Sequence, residues 1–241
     1  MRPFNAAFTN ELARIFIGQK TIVFFIVNIV IILLYVLLYT NSFTASAAGY
    51  MVSLHRLFFM AVFPLYIFME TMDVFNGEVS DMTIRNVLIR PVTRLKIYLA
   101  KVCAVCVFIL VQILFTTLFV TVFSIFIGES AASVVNAAAA FIITFIPMTA
   151  FVFTAAFVSQ LVKNGMLGML LCIVFLLISY TAEALAPAVS AFLFVRYIGL
   201  YKMLLTGDVY PYGVLTALII IASYVVASLT AGALIFGKKE F

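Results

Sequence analysis

The chain has 241 residues, 66% of them apolar and 10% charged, with mean hydropathy +1.28. A soluble domain carries about 25% charged residues, so this composition excludes an ordinary soluble protein and predicts a polytopic membrane protein. The net charge is +5. With no aromatic-basic nucleic-acid motif in the chain, that charge is expected on the cytoplasmic side of a membrane, and no nucleic-acid partner is expected.

Residues 4–19 repeat apolar side chains at helical spacing: Phe4, Phe8, Leu12, Ile15 and Phe16. Asn5, Thr9, Asn10, Glu11 and Arg14 fill the other side. The pattern predicts an amphipathic interfacial helix, with Arg2, Arg14 and Lys20 toward head groups. The first span is expected at 21–39, uncharged and roughly 28 Å long, close to a hydrocarbon core. Ala45, Ser46 and Ala47 follow it in a cleavage-like pattern. The apolar run is too long for a signal peptide, and about twenty residues precede it, so an uncleaved span is expected. The second span is expected at 55–72, with Pro64 inside it and Arg56, Glu70 and Asp73 near its ends.

Beyond a polar segment at 76–101, the third span is expected at 97–127, longer than the membrane core. Gly128, Glu129 and Ser130 then turn the chain into a fourth span, 134–158, which Pro147 should kink. Gln160, Lys163, Asn164 and Gly165 form the next turn, and the fifth span, 166–186, closes near Glu183 and Pro187. Residues 188–212 mix apolar side chains with Arg196, Tyr197, Tyr201, Lys202 and Asp208. That composition suits the interface and predicts an outer helical hairpin or a re-entrant element. The sixth span is expected at 213–236, stopped by Lys238 and Lys239. The expected architecture is one all-α transmembrane domain, 1–241, with six spans.

Six spans place both termini on one side. That side would hold Arg2, Arg14, Lys20, Arg85, Arg90, Arg94, Lys96, Lys101, Lys163, Lys238 and Lys239, against Arg56, Arg196 and Lys202 on the other. Eleven against three predicts cytoplasmic termini in a cell inner (plasma) membrane.

Catalytic chemistry is poorly supplied. His55 is the single histidine, so no histidine cluster exists to hold a metal. Neither G-x-S-x-G, nor H-E-x-x-H, nor a phosphate-binding G-x-x-x-x-G-K-[ST] loop occurs. The chain is therefore not expected to be an enzyme, and any use of ATP must come through a partner. Cys103 and Cys106 form a CxxC inside an apolar helix, where they read as small buried residues rather than a redox pair. Arg56, Gln112 and Glu183 are the candidates for a translocation pathway. Glu183 fits either a gate or a carboxylate reaching outer water, Arg56 is a candidate partner for it, and Gln112 fits a hydrogen bond between helices. Ser223, Ala227 and Ala231, with Ser228 and Gly232 beside them, form a small-residue stripe suited to close helix approach, within one subunit or between two.

The strongest motif lies in the polar segment. Residues 73–90 fit a short amphipathic helix, Pro91 ends it, and Thr93 can cap the next one. Glu78, Thr83, the run Leu88, Ile89, Arg90, Pro91, Val92, Thr93, Arg94, Leu95, and then Tyr98 and Lys101 together resemble the signature of type-2 ABC exporter permeases. In that family a glycine precedes the threonine, whereas Met82 stands there in this chain. The resemblance implies a coupling helix at 76–90 that docks on a separate ABC ATP-binding subunit, with Glu78, Arg85, Arg90, Pro91 and Arg94 as coupling residues. It implies two copies of that subunit carrying ATP and Mg, no cofactor in this chain, and a second permease, identical or related. It also implies a bacterial source and lipid-bilayer surroundings. A hydrophobic or amphiphilic substrate such as an antimicrobial peptide, antibiotic or lipid suits the apolar spans. Two other classes are open to a six-span chain. An importer's substrate-binding integral subunit would need no direct ATPase-docking helix. An intramembrane enzyme would need a convergent acid, base or metal set.

Overall fold

The computed structural model describes residues 2–40, 47–77, 93–205 and 213–238. Among them all regular structure is helical, and six helices are long and apolar enough to cross a membrane. These are span 1, Gln19–Leu38; span 2, Met51–Gly77; span 3, Arg94–Phe126; span 4, Ala131–Leu161; span 5, Gly165–Leu185; and span 6, Val214–Lys238. The protein is an all-α polytopic membrane protein.

A separate N-terminal helix, Arg2–Ile17, precedes span 1 and packs along span 3. Phe8, Leu12, Ile15 and Phe16 supply its packed stripe. Glu11 departs from the expected polar side. It is buried on the packed side, because its partner there is a lysine of span 3, and a buried cation draws a carboxylate inward. At the hinge to span 1 the Thr21 hydroxyl donates to the Ile15 carbonyl at 2.6 Å.

Two prolines shape the bundle. Pro64 has no N–H to give the Met60 carbonyl one turn earlier. Span 2 is π-helical just before it, over Phe58–Val62, the usual local adjustment at such a break. The freed carbonyl is not left bare: the Tyr180 hydroxyl of span 5 donates to it at 2.6 Å. In lipid, with no water to take over, this cross-helix bond keeps a prolyl break tolerable. In span 4, Pro147 removes the bond to Ile143, and the helix breaks at Thr144 into Ala131–Ile143 and Phe145–Leu161.

Span 3 is the longest helix, about 50 Å at 1.5 Å per residue, so its Arg94 end extends past a core of about 30 Å. Thr93 occupies its N-cap position but its hydroxyl makes no capping bond. Span 6 packs chiefly on the second half of span 4 and also reaches span 3. Its buried face is Ala217, Ile221, Ser228, Gly232 and Phe236. Of the small-residue stripe, Ser228 and Gly232 therefore lie in the packing, whereas Ser223 and Ala227 are exposed. Between spans 5 and 6 run the helix Pro187–Ser190, the 3-10 helix Phe194–Tyr201 and the helix Lys202–Leu205. Phe194 sinks among Phe151, Phe175 and Tyr224 of spans 4, 5 and 6.

The expected coupling helix, 76–90, falls outside the described residues apart from Asn76 and Gly77, which end span 2. Glu78, Arg85, Arg90 and Pro91 lie outside the described residues, and so do residues 206–212 of the expected outer hairpin.

Candidate functional site

The N-terminal helix, the end of span 2 and the start of span 3 meet in one corner, and a single ammonium group joins them. Lys101 is 1% exposed and its Nζ lies 3.0 Å from Glu11 Oε1. The same Nζ donates to the Val74 carbonyl at 3.0 Å and sits over the Phe75 ring. A cation this deep is retained only when paired and hydrogen-bonded, and both conditions hold here. The Val74 carbonyl belongs to the π-helical last turn of span 2, Asp73–Gly77. Asp73 carries a second set of ties: its carboxylate pairs with Lys20 at 2.7 Å, and its carbonyl accepts from Arg14 Nη2 at 3.2 Å. Residues 78–92 therefore leave from and return to a clamped frame.

On the same membrane face, the foot of span 2 leans on the turn between spans 4 and 5. Asn76 Nδ2 donates to the Val162 carbonyl at 3.0 Å. Between the start of span 1, the end of span 2 and the start of span 5 lies an open groove of about 710 Å³. Deeper in the bundle a separate apolar cavity of about 220 Å³ is walled by Phe68, Phe151, Phe157, Phe175 and Cys172.

Polar side chains also meet inside the spans. Asn28 of span 1 donates to Gln112 Oε1 of span 3 at 2.8 Å, and the Tyr66 hydroxyl of span 2 donates to Asn28 Oδ1 at 3.0 Å. All three residues are buried. Interhelical bonds of this kind contribute roughly 0.6–2 kcal/mol each in membrane proteins. His55 is buried at the other end of span 2, stacked between Phe59 and Tyr201. Its Nε2 lies 3.3 Å from the Ala140 carbonyl and 3.1 Å from the Thr144 hydroxyl. The imidazole thereby fastens span 2 to the break in span 4. Among the described residues no group of three or more His, Cys, Asp or Glu side chains comes together, and Cys103, Cys106 and Cys172 are free thiols.

The sequence pattern of the ABC-2 family transporter protein matches residues 17–179, well over half of the chain. The chain belongs to the ABC-2 transporter family. No curated protein matches it. ABC-2 permeases are membrane transport subunits, not enzymes in themselves, and they generally work with an ATP-binding subunit. This protein is thus a multi-pass membrane permease of an ABC transporter.

The remaining candidate residues of this ABC-2 permease fall in three places. Arg94 is at the exposed start of span 3, and its Nη1 donates to the Gly237 carbonyl at 3.0 Å. It therefore caps the C-terminal end of span 6, where a cation meets the negative end of the helix dipole. Gln112 is in the Asn28–Tyr66 network between spans 1, 2 and 3. Arg56 and Glu183 are both exposed, and no ion pair joins them among the described residues. Burial raises the Tyr201 phenol above its ordinary range, Arg56 opposes that shift and Glu183 adds to it. Sequence reasoning passed over Glu11, Asn28, Tyr66 and Tyr180. A carboxylate within the apolar repeat of the first helix, and an asparagine in an otherwise apolar span, were the available signals.

Proposed function

We propose that this protein is the membrane half of an ATP-driven exporter, in which residues 76–90 form the coupling helix that seats in a separate ATP-binding subunit. The observation that carries this reading is the clamp at Lys101. The segment between spans 2 and 3 is flanked by helix ends that one buried ammonium ties together, so a push on that segment moves spans 2 and 3 and the N-terminal helix as a unit. Glu78, Arg85, Arg90, Pro91 and Arg94 serve docking and force transfer. ATP and Mg belong to the partner, present in two copies. A second permease, identical or related, completes the pathway. Arg56, Glu183 and Gln112 are assigned to that pathway, and the cargo is a hydrophobic or amphiphilic compound such as an antimicrobial peptide, antibiotic or lipid. The termini are assigned as cytoplasmic, since Arg14, Lys20, Arg94, Lys96, Lys101, Lys163 and Lys238 share a face; the inner (plasma) membrane and a bacterial source are assigned with the exporter class.

The deciding experiment is capture of the full chain from its native membrane in gentle detergent. A P-loop ATPase should co-purify at one copy per permease, and its hydrolysis should rise with substrate. Reversing charge at Glu78 and Arg90 together should abolish that stimulation while membrane insertion is unchanged. Normal stimulation in the double variant contradicts the docking role of 76–90. Orientation has its own test, in a background without Cys103, Cys106 and Cys172. A cysteine at Ser80 should react only from the cytoplasm, and one at Thr206 only from outside; the opposite pattern inverts the topology.

A further inference from the structure

The groove beside the clamp has two unlike surfaces. One is apolar and adaptable: Met69, Met72, Met166 and Met169 face it from spans 2 and 5. Met69 is 39% and Met166 75% exposed, so a thioether wall stands open at the level where spans leave the membrane. The other surface is charged. Lys20 and Lys163 border the groove, together with Asp73. Asp73 is matched at 2.7 Å by Lys20. Lys163 is exposed and makes no hydrogen bond or ion pair among the described residues. Two cations and one carboxylate among the lining side chains leave a surplus of one positive charge. Span 5 also begins here, at Gly165, and the positive end of its dipole adds to the field. The groove has a floor: a Cβ on Gly168 would lie 2.5 Å from Met72 Sδ, so spans 2 and 5 touch there and separate the groove from the aromatic cavity above.

We propose that this groove binds one anionic phospholipid, with its phosphodiester at Lys163 and Lys20 and the first part of an acyl chain on the methionine wall. Charge selects the ligand. A site with a surplus of one positive charge favours a lipid of net −1 over a zwitterion, whose own cation meets Lys163. The wall selects a lipid over a soluble anion, because methionine side chains contribute nothing to a hydrated phosphate but pack readily on a chain. The volume, about 710 Å³, falls within the roughly 300–1,000 Å³ of ordinary ligand sites. Anionic lipid held there bridges the start of span 1, the foot of span 2 and the head of span 5, beside the frame that carries residues 78–92.

The test uses the full chain in nanodiscs of equal phosphatidylglycerol and phosphatidylcholine of matched chains. Lipid retained after mild delipidation is read by native mass spectrometry. Both leaflets are identical, so the result does not depend on orientation, and it does not involve transport or an ATPase. A failure here therefore leaves the exporter reading standing, and the reverse also holds. The wild type should hold one phosphatidylglycerol in preference to phosphatidylcholine. Lys163→Gln, an exposed change that should not disturb folding, should reduce that retention about tenfold, whereas Lys202→Gln on the opposite face should not. Equal retention of the two lipids overturns the proposal, as does Lys163→Gln behaving like Lys202→Gln. Displacement of the lipid by glycerol phosphate at equal concentration also overturns it, since that identifies a soluble-anion site.

Discussion

Replacing Lys101 by methionine should destabilise the protein by about 3–5 kcal/mol, the range for breaking a buried ion pair from one side. The reason is what stays behind. Glu11 is only 10% exposed at its side chain, and without Lys101 its nearest cation is Arg14, 3.9 Å from Oε2. The Val74 carbonyl loses its donor in the same step. Thermal unfolding of the purified protein in detergent should show the loss directly. The double variant Glu11→Gln, Lys101→Met removes both charges and should recover a large part of it, because a buried pair replaced as a unit is often nearly neutral. A double variant no more stable than Lys101→Met would mean that the ammonium acts through Val74 and Phe75 rather than through Glu11. Wild-type stability for Lys101→Met would remove the clamp from the account of coupling altogether.

Gly232→Ala should also lower stability, by about 1–3 kcal/mol, the usual range for overpacking. A Cβ at that position would overlap the Tyr98 hydroxyl and come within 2.9 Å of its Cζ and 3.5 Å of the Phe157 Cα. The Phe157 contact is an ordinary one, so the clash is with Tyr98. Tyr98 is fully buried and ringed by Phe75 and Phe236. Its hydroxyl has no hydrogen-bond partner among the described residues, so Tyr98→Phe alone should be close to neutral. Combined with Gly232→Ala, it should restore part of the loss by vacating the point of overlap. Gly232→Ala at wild-type stability would show that span 6 shifts freely against span 3. The same glycine explains why span 6 carries small residues on its packed side: in lipid, helices associate through close backbone approach rather than through a hydrophobic drive.

The two variants differ in how their causes could have been seen beforehand. Lys101 stands out in sequence as a charge at the head of an apolar run, and Gly232 as a small residue among others. Neither position names its partner. Glu11 is ninety residues before Lys101, and its place in the amphipathic repeat assigned it to the polar side. Its spacing from Phe8 and Ile15 sets it on the apolar stripe instead, and only the approach of span 3 shows which cation meets it there. The break at Pro147 was legible because a missing N–H is a property of one residue. Its counterpart at Pro64 was not complete without Tyr180, which lies 120 positions from the Met60 carbonyl it serves. Arg56 and Glu183 were legible as lone charges near span ends, but their shared electrostatic influence on Tyr201 depends on where the segment after span 5 is packed.

The sequence by itself determined the class, the number of spans and the family. Each of those follows from local properties: an apolar run long enough to cross, a proline that breaks it, and a motif read within a few turns. The tertiary structure alone decided which polar groups meet. The pairs Glu11 with Lys101, Asn28 with Gln112 and Tyr180 with Met60 each join helices far apart in the chain. Lipid gives buried polar groups no water to fall back on, so partners on neighbouring helices are favoured for these side chains. That preference acts on helix positions, not on sequence neighbours. The same packing set the groove at Lys20 and Lys163, whose walls come from three separate spans.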